Sequence, residues 1–247
     1  MSTERLAALI GMLVVLAATA AIFWSGRMAG RAPYAIVRNP HIDVQVRFQV
    51  LQLLVAASVL ATGFALSPVN FVRYAAMGNW AAPAASVPWL GIPAGELWSG
   101  LGLSLTVTIS AVTALFMYFA LRRSGLDRGM LRKYWPWILL LSATNAASEE
   151  AIYRLGIVVP LQGVATPEAV PLFCALAFGV PHWLGTPGGL AGTIMASLLG
   201  WVLAKSVIET EGIAWAWSIH FIQDVIIYSA LCSRGSAANV TTTGVNP

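Results

Sequence analysis

Seven runs of apolar residues alternate with short polar stretches along this chain. The runs cover residues 6–25, 48–66, 100–121, 137–161, 169–184, 188–208 and 213–232. A bilayer core about 30 Å thick is crossed by a helix of roughly 20 apolar residues, so each run predicts a membrane-spanning helix. The pattern as a whole predicts an all-α fold, a polytopic transmembrane bundle of about seven spans.

The composition excludes a water-soluble globule. Hydrophobic residues make up 58% of the 247 residues and charged residues only 10%, whereas soluble domains carry about 25% charged residues. The spans use most of the length, so we expect no large second domain. Cys174 and Cys232 both lie in apolar runs and show neither a disulfide framework nor a metal-ligand spacing.

Basic residues predict the orientation of the chain in the membrane. The net charge is +4, and most Lys and Arg residues lie in the loops after the first and third spans. These residues are Arg27, Arg31, Arg38 and Arg47 in one loop and Arg122, Arg123, Arg128, Arg132 and Lys133 in the other. The positive-inside rule makes both loops cytoplasmic and the N-terminus external. We therefore expect the lipid bilayer of a bacterial or archaeal cell as the surroundings, and no nucleic-acid partner.

The chain divides into three parts according to the chemistry that each part carries. Residues 1–136 form an N-terminal membrane segment of three spans, residues 137–232 hold the candidate chemistry, and residues 233–247 form a small polar tail that is predicted to be disordered. A loop over residues 67–99 interleaves prolines with tryptophans. This predicts an ordered outer loop anchored by interfacial aromatics, with a substrate gate as the alternative.

Ionisable residues within the spans are the strongest functional signal. Each one costs on the order of 2.5 to 3.5 kcal/mol in hydrocarbon, so its presence needs a reason. They are concentrated in three spans: Glu149, Glu150 and Arg154 in the fourth, His182 at the end of the fifth, and His220 and Asp224 in the seventh. With the rise of an α-helix, Glu149 in the fourth span and His220 in the seventh lie at similar depths in the bilayer. His182 in the fifth span lies close enough to this depth for its side chain to reach the same site. We therefore expect one site shared by three spans.

Helical spacing predicts two pairs within this set. Glu150 and Arg154 are four residues apart and can form an ion pair, which leaves Glu149 free on an adjacent face. His220 and Asp224 are also four apart, so the carboxylate can orient the imidazole.

These residues fall in three motifs that occur in a fixed order: EEAIYR from Glu149, FGVPH from Phe178 to His182, and HFIQD from His220 to Asp224. With them, the chain resembles the CPBP or Abi intramembrane proteases, a family that includes the type II CAAX prenyl endopeptidases. The resemblance covers about residues 142–228, and the first three spans carry no comparable signature. It implies an endopeptidase that hydrolyses a peptide bond of a membrane-associated protein or peptide.

The resemblance also implies a role for each residue. Glu149 would be the general base that activates a water molecule, and His182 would help to bind that water. His220 and the residue at 224 would donate hydrogen bonds to the oxyanion. The supporting residues would be Glu150 and Arg154 as a structural ion pair and Phe178 as a packing residue beside the site.

Two positions depart from this scheme. A carboxylate cannot donate a hydrogen bond, so we expect His220 to donate and Asp224 to orient it. Pro181 precedes His182 and removes a helix hydrogen bond. This proline predicts either a kink that aims the imidazole or the end of the span.

Three alternatives stay open at this stage. Glutamate and histidine can bind zinc, but the spacing is not that of HExxH, so we expect no cofactor and keep zinc as the alternative. A proton-coupled transporter also uses buried Glu, His and Asp. A non-catalytic immunity or interaction protein on the same scaffold is the third possibility.

Overall fold

A computed structural model describes residues 2–31, 36–37, 40–122, 127–184 and 188–233. Within these ranges the chain forms α-helices and isolated β-bridges but no strand, which confirms the all-α prediction. The helices are α1 (Thr3–Ala29), α2 (Pro40–Leu66), α3 (Pro68–Ala75), α4 (Trp98–Leu121), α5 (Arg128–Glu150), α6 (Gly156–Leu161), α7 (Ala169–Gly179), α8 (Gly189–Thr210) and α9 (Ala214–Cys232). A π-helical turn, Ala151–Leu155, joins α5 to α6, and 3₁₀ turns cover Pro88–Leu90 and Val180–Leu184.

Four of these helices are long and apolar enough to cross a membrane. They are Thr3–Ala29, Ile42–Leu66, Trp98–Leu121 and Gly189–Thr210 in the described part of the chain. The other three predicted spans coincide with α5 to α6, with α7 and its 3₁₀ turn, and with α9. The protein is therefore an integral membrane protein, whereas the number of seven spans stays a prediction.

The fourth predicted span is longer than its apolar run and is interrupted. Helix α5 begins at Arg128 rather than at residue 137, because the Asp127 side chain caps it by accepting from the backbone N–H groups of Gly129 and Met130 at 2.8 and 3.2 Å. The helix then widens into the π turn directly after Glu150. An extra residue in one turn changes which side chains face each neighbour, and such turns are frequent at functional sites.

The α5–α6 unit lies at the centre of the bundle. Helices α1 and α2 pack on one side of it, and α7 and α9 pack on other sides. Ile152, Ile157, Val158 and Val159, in the π turn and α6, are completely buried. Helices α4 and α8 both pack on α9. Among the described residues, these two helices do not pack closely on each other. A cleft between α4 and α8 results.

The loop between α2 and α4 docks onto the turn between α8 and α9. The Asn79 N–H donates to the Thr210 carbonyl at 2.7 Å, and the buried Trp98 indole donates to the Glu209 carboxylate at 2.8 Å. This loop is ordered, as the sequence predicts, and Trp98 is anchored to protein. Arg38, Arg123 and the tail after residue 233 lie outside the described residues.

Candidate active site

The acidic pair lies at the junction between α5 and the π turn. Glu150 points into the protein, with 1% of its side chain exposed, whereas 17% of the Glu149 side chain is exposed. Glu150 Oε2 lies 3.0 Å from Nε of the fully buried Arg154. The arginine guanidinium also lies over the Phe178 ring, 4.3 Å from its centroid, where a cation–π interaction stabilises it. The structure thus contains the ion pair that the spacing predicts.

The imidazole of His220 is held by a carboxylate of a neighbouring helix. Its Nδ1 lies 2.7 Å from Glu150 Oε1, and its Nε2 lies 3.5 Å from Glu149 Oε2 and 3.7 Å from Asp224 Oδ2. A carboxylate only accepts hydrogen bonds, so Nδ1 carries the hydrogen in this contact. The structure also contains the His220–Asp224 pair that the spacing predicts, and the orienting role of Asp224 stays a prediction. At 3.7 Å this pair is longer than a hydrogen bond, and the closer carboxylate is Glu150, which the packing of α5 on α9 brings to Nδ1.

Asp224 is also bonded to α5. Its Oδ2 accepts a hydrogen bond from Asn145 Nδ2 at 3.0 Å, and both side chains are buried. Asn145, one helical turn before Glu149, thus forms a hydrogen bond between α5 and α9.

His182 lies in the 3₁₀ turn that follows α7. The α-helix ends at Gly179, and Pro181 has no N–H to offer to the Phe178 carbonyl. The His182 side chain takes that place, with Nδ1 2.6 Å from the Phe178 oxygen. A carbonyl only accepts, so Nδ1 carries the hydrogen and Nε2 is left for another partner. Of the two readings of Pro181, the helix end is the one that the structure contains.

Phe178 packs between the groups of the site. Its ring centroid lies 4.6 Å from that of His182 and 5.7 Å from that of His220, the second in an edge-on arrangement. The residue is 1% exposed. Its ring therefore fixes the positions of both imidazoles through van der Waals contact.

A cavity of about 370 Å³ brings the predicted residues together. Its polar wall includes Glu149, His182, His220 and Asp224, whereas Glu150 and Arg154 lie behind this wall. Its remaining wall is mainly apolar and comes from α4, α8 and α9 together with Leu90 of the outer loop. Side chains from three remote stretches of chain therefore face one cavity beside the cleft between α4 and α8. The roles of these residues stay predictions.

Sequence reasoning missed three polar residues at this site. Gln52 of α2 is completely buried and donates from Nε2 to Glu149 Oε1 at 3.3 Å. Thr113 of α4 and Gln223 of α9 meet in the cavity wall through a hydrogen bond of 2.6 Å. All three are polar residues within apolar runs. A polar side chain is costly in hydrocarbon even when it is uncharged, and this is the sequence signal that could have found them.

Among the residues that the structure describes, no three His, Cys, Asp or Glu side chains are grouped so that they could hold a metal ion. One imidazole nitrogen of His220, Nδ1, is already used by Glu150. The absence of a cofactor stays a prediction.

Comparisons with known proteins give one match. Residues 131–226 match the family described as type II CAAX prenyl endopeptidase Rce1-like. No curated protein and no solved structure matches the chain. The matched segment contains the three motifs and the acid and imidazole side chains of the cavity. This part of the chain, which contains Glu149, His182 and His220, is therefore similar to the type II CAAX prenyl endopeptidases of the Rce1-like family.

Proposed function

We propose that this protein is an intramembrane endopeptidase that hydrolyses a peptide bond of a membrane-associated protein or peptide with a glutamate-activated water. The observation that carries the proposal is the shared cavity, where Glu149, His182 and His220 face one space. No step of the proposed reaction uses a metal.

Glu149 is the proposed general base. Gln52 donates to Oε1, while Oε2 lies on the side of His220. One oxygen is thus fixed by the protein, and the other is available to a water molecule. Burial in a mainly apolar wall excludes bulk water, which strengthens electrostatic interactions within the site.

His182 is proposed to hold the same water. Its Nδ1–H is used by the Phe178 carbonyl, so the lone pair of Nε2 can accept a hydrogen bond from the water. This contact and the Glu149 carboxylate would direct the lone pair of the water oxygen toward the substrate carbonyl.

His220 is proposed to stabilise the oxyanion. Glu150 holds Nδ1, which leaves Nε2 as the nitrogen that meets a ligand, and in the imidazolium form Nε2–H donates. The water oxygen bonds to the carbonyl carbon, and Glu149 takes its proton. As the C–N bond breaks, Glu149 returns this proton to the leaving nitrogen, and a carboxylic acid and an amine result.

The surroundings of the cavity favour a substrate that approaches from lipid. The cleft between α4 and α8 carries Val112 and Leu198, which are 52% and 46% exposed and line the cavity. An apolar approach of this kind suits a lipid-modified peptide. A farnesylated CAAX peptide is therefore the first substrate to test, in line with the name of the family.

The first prediction concerns Glu149. The full-length protein in proteoliposomes is expected to cleave an internally quenched farnesylated CAAX peptide, and Glu149→Gln is expected to lower kcat at least about 100-fold because the amide cannot take a proton. Glu168→Gln, the same change at an exposed residue at the start of α7, is the control and should leave cleavage unchanged.

Wild-type cleavage by Glu149→Gln would contradict the role of this residue. If the wild-type protein leaves the CAAX peptide intact, comparing membrane proteomes of cells with the wild type and with Glu149→Gln identifies the substrate. Identical proteomes in the two strains, together with an intact peptide, would contradict the proposed activity.

A further inference from the structure

Gln223 shares one face of α9 with the proposed catalytic groups. His220, Gln223 and Asp224 follow the three- and four-residue spacing of a helix face, and all three line the cavity. Gln223 is 5% exposed. Nothing in the three motifs or the family match assigns a role to this residue.

One end of the Gln223 amide is fixed by a neighbouring helix. Thr113 Oγ1 of α4 donates to Gln223 Oε1 at 2.6 Å, and Thr113 is itself buried in the cavity wall. With the oxygen held in this way, the amide nitrogen is directed away from Thr113. The hydroxyl thus decides which end of the amide is presented to a ligand.

The other end of the amide has no partner. Gln223 Nε2 is buried and makes no hydrogen bond among the residues that the structure describes. Nearly all buried polar groups in proteins are paired, and an unpaired one costs free energy of folding. A donor kept unpaired in the wall of a reaction cavity is explained if it pairs with a substrate.

The proposed reaction needs such a donor. Oxyanion holes usually present more than one donor to the tetrahedral intermediate, and Asp224, as a carboxylate, only accepts. Of the groups so far assigned to the oxyanion, His220 is then the sole donor. Gln223 lies beside Asp224 in sequence and on the same face of α9.

We infer that the Gln223 amide N–H₂ is a second oxyanion donor, held in position by Thr113. This inference rests on the proposed function. When the water oxygen bonds to the carbonyl carbon, the C=O π electrons move to the carbonyl oxygen, and Nε2–H of Gln223 donates to that oxygen together with His220. Gln223 is then a catalytic residue, and Thr113 is a positioning residue.

The test uses Gln223→Glu and Gln223→Leu in the full-length protein with the quenched farnesylated CAAX peptide. The glutamate keeps the acceptor for Thr113 and replaces the N–H₂ with an oxygen, and the leucine removes both polar atoms. Each variant is expected to lower kcat about 100-fold with little change in KM, since the lost contact forms only in the transition state. The melting temperature of Gln223→Leu should change little, because removal of the unpaired N–H₂ offsets the loss of the acceptor for the buried Thr113 hydroxyl.

Thr113 is tested by rescue. Thr113→Val removes the hydroxyl that fixes the amide and is expected to lower kcat about tenfold, whereas Thr113→Ser keeps the hydroxyl and should restore it. Thr106→Val is the matched control on α4, because the Thr106 hydroxyl bonds to the Gly102 carbonyl of its own helix and Thr106 is not part of the cavity wall.

Binding of a phosphinate peptide, whose charged tetrahedral oxygen mimics the oxyanion, gives a second readout. We expect Gln223→Leu to weaken phosphinate binding about 100-fold. Binding of the uncleaved peptide is measured in the inactive Glu149→Gln protein, and adding Gln223→Leu to that protein should leave this affinity unchanged. Wild-type kcat and phosphinate affinity in Gln223→Glu and Gln223→Leu would overturn the inference while leaving the proposed function intact. If the wild type cleaves neither this peptide nor any protein in the proteome comparison, the proposed function fails and the inference fails with it.

Discussion

At the scale of single residues, two adjacent glutamates have different surroundings. Glu149 faces the cavity and is bonded by a neutral amide, whereas Glu150 uses one oxygen for Arg154 and the other for His220. A buried carboxylate that holds both a guanidinium and an imidazole cannot also exchange protons freely with a water molecule. The burial and the partners of the two side chains therefore distinguish the proposed scaffold residue, Glu150, from the proposed general base, Glu149.

The same substitution at the two positions should consequently have different effects. Glu150→Gln leaves the Arg154 charge buried without its counterion, which is expected to lower the free energy of unfolding by about 3 to 5 kcal/mol. Glu149→Gln should change it by less than about 1 kcal/mol. Denaturation in detergent, followed by tryptophan fluorescence, measures both. Equal stabilities of the two variants would contradict the assignment of Glu150 as scaffold.

At the scale of elements, two irregular turns position the site. The π turn after α5 follows Glu150 directly, and the 3₁₀ turn after α7 carries His182. In both places a regular α-helix would rotate the side chains that follow. The second turn depends on Pro181, whose missing N–H leaves the Phe178 carbonyl to the imidazole.

Replacement of this proline tests the turn. Pro181→Ala supplies an N–H that can donate to the Ala177 carbonyl and favours a longer α7, since proline is about 3 kcal/mol less favourable than alanine inside a helix. In the longer helix the backbone N–H of His182 takes the Phe178 carbonyl from the imidazole. The melting temperature should not fall, while kcat should fall about tenfold because the imidazole loses its anchor. Pro171→Ala in the first turn of α7 is the matched control and should leave kcat unchanged. Normal kcat in Pro181→Ala would show that the turn does not position His182.

At the scale of the whole molecule, hydropathy predicts the helical bundle because membrane insertion depends on the summed polarity of each segment. The three motifs predict which spans meet. Hydropathy cannot predict the π turn, because no residue type encodes it, or the bond between Glu150 and His220, because that contact depends on how two helices pack. Gln52, Thr113 and Gln223 are recognisable in the sequence as polar residues in apolar runs, but their hydrogen bonds are not, since their partners lie on other helices.

The whole account depends on one spatial claim, that Glu149, His182 and His220 act on the same water and carbonyl. Residues that act as a unit give losses that do not add. The direct measurement is single-turnover cleavage of the farnesylated CAAX peptide by Glu149→Gln, His182→Ala, His220→Ala and the triple variant. The account predicts that the triple variant is about as slow as the slowest single variant. Losses that multiply across the three positions, or a single variant with the wild-type rate, would contradict it.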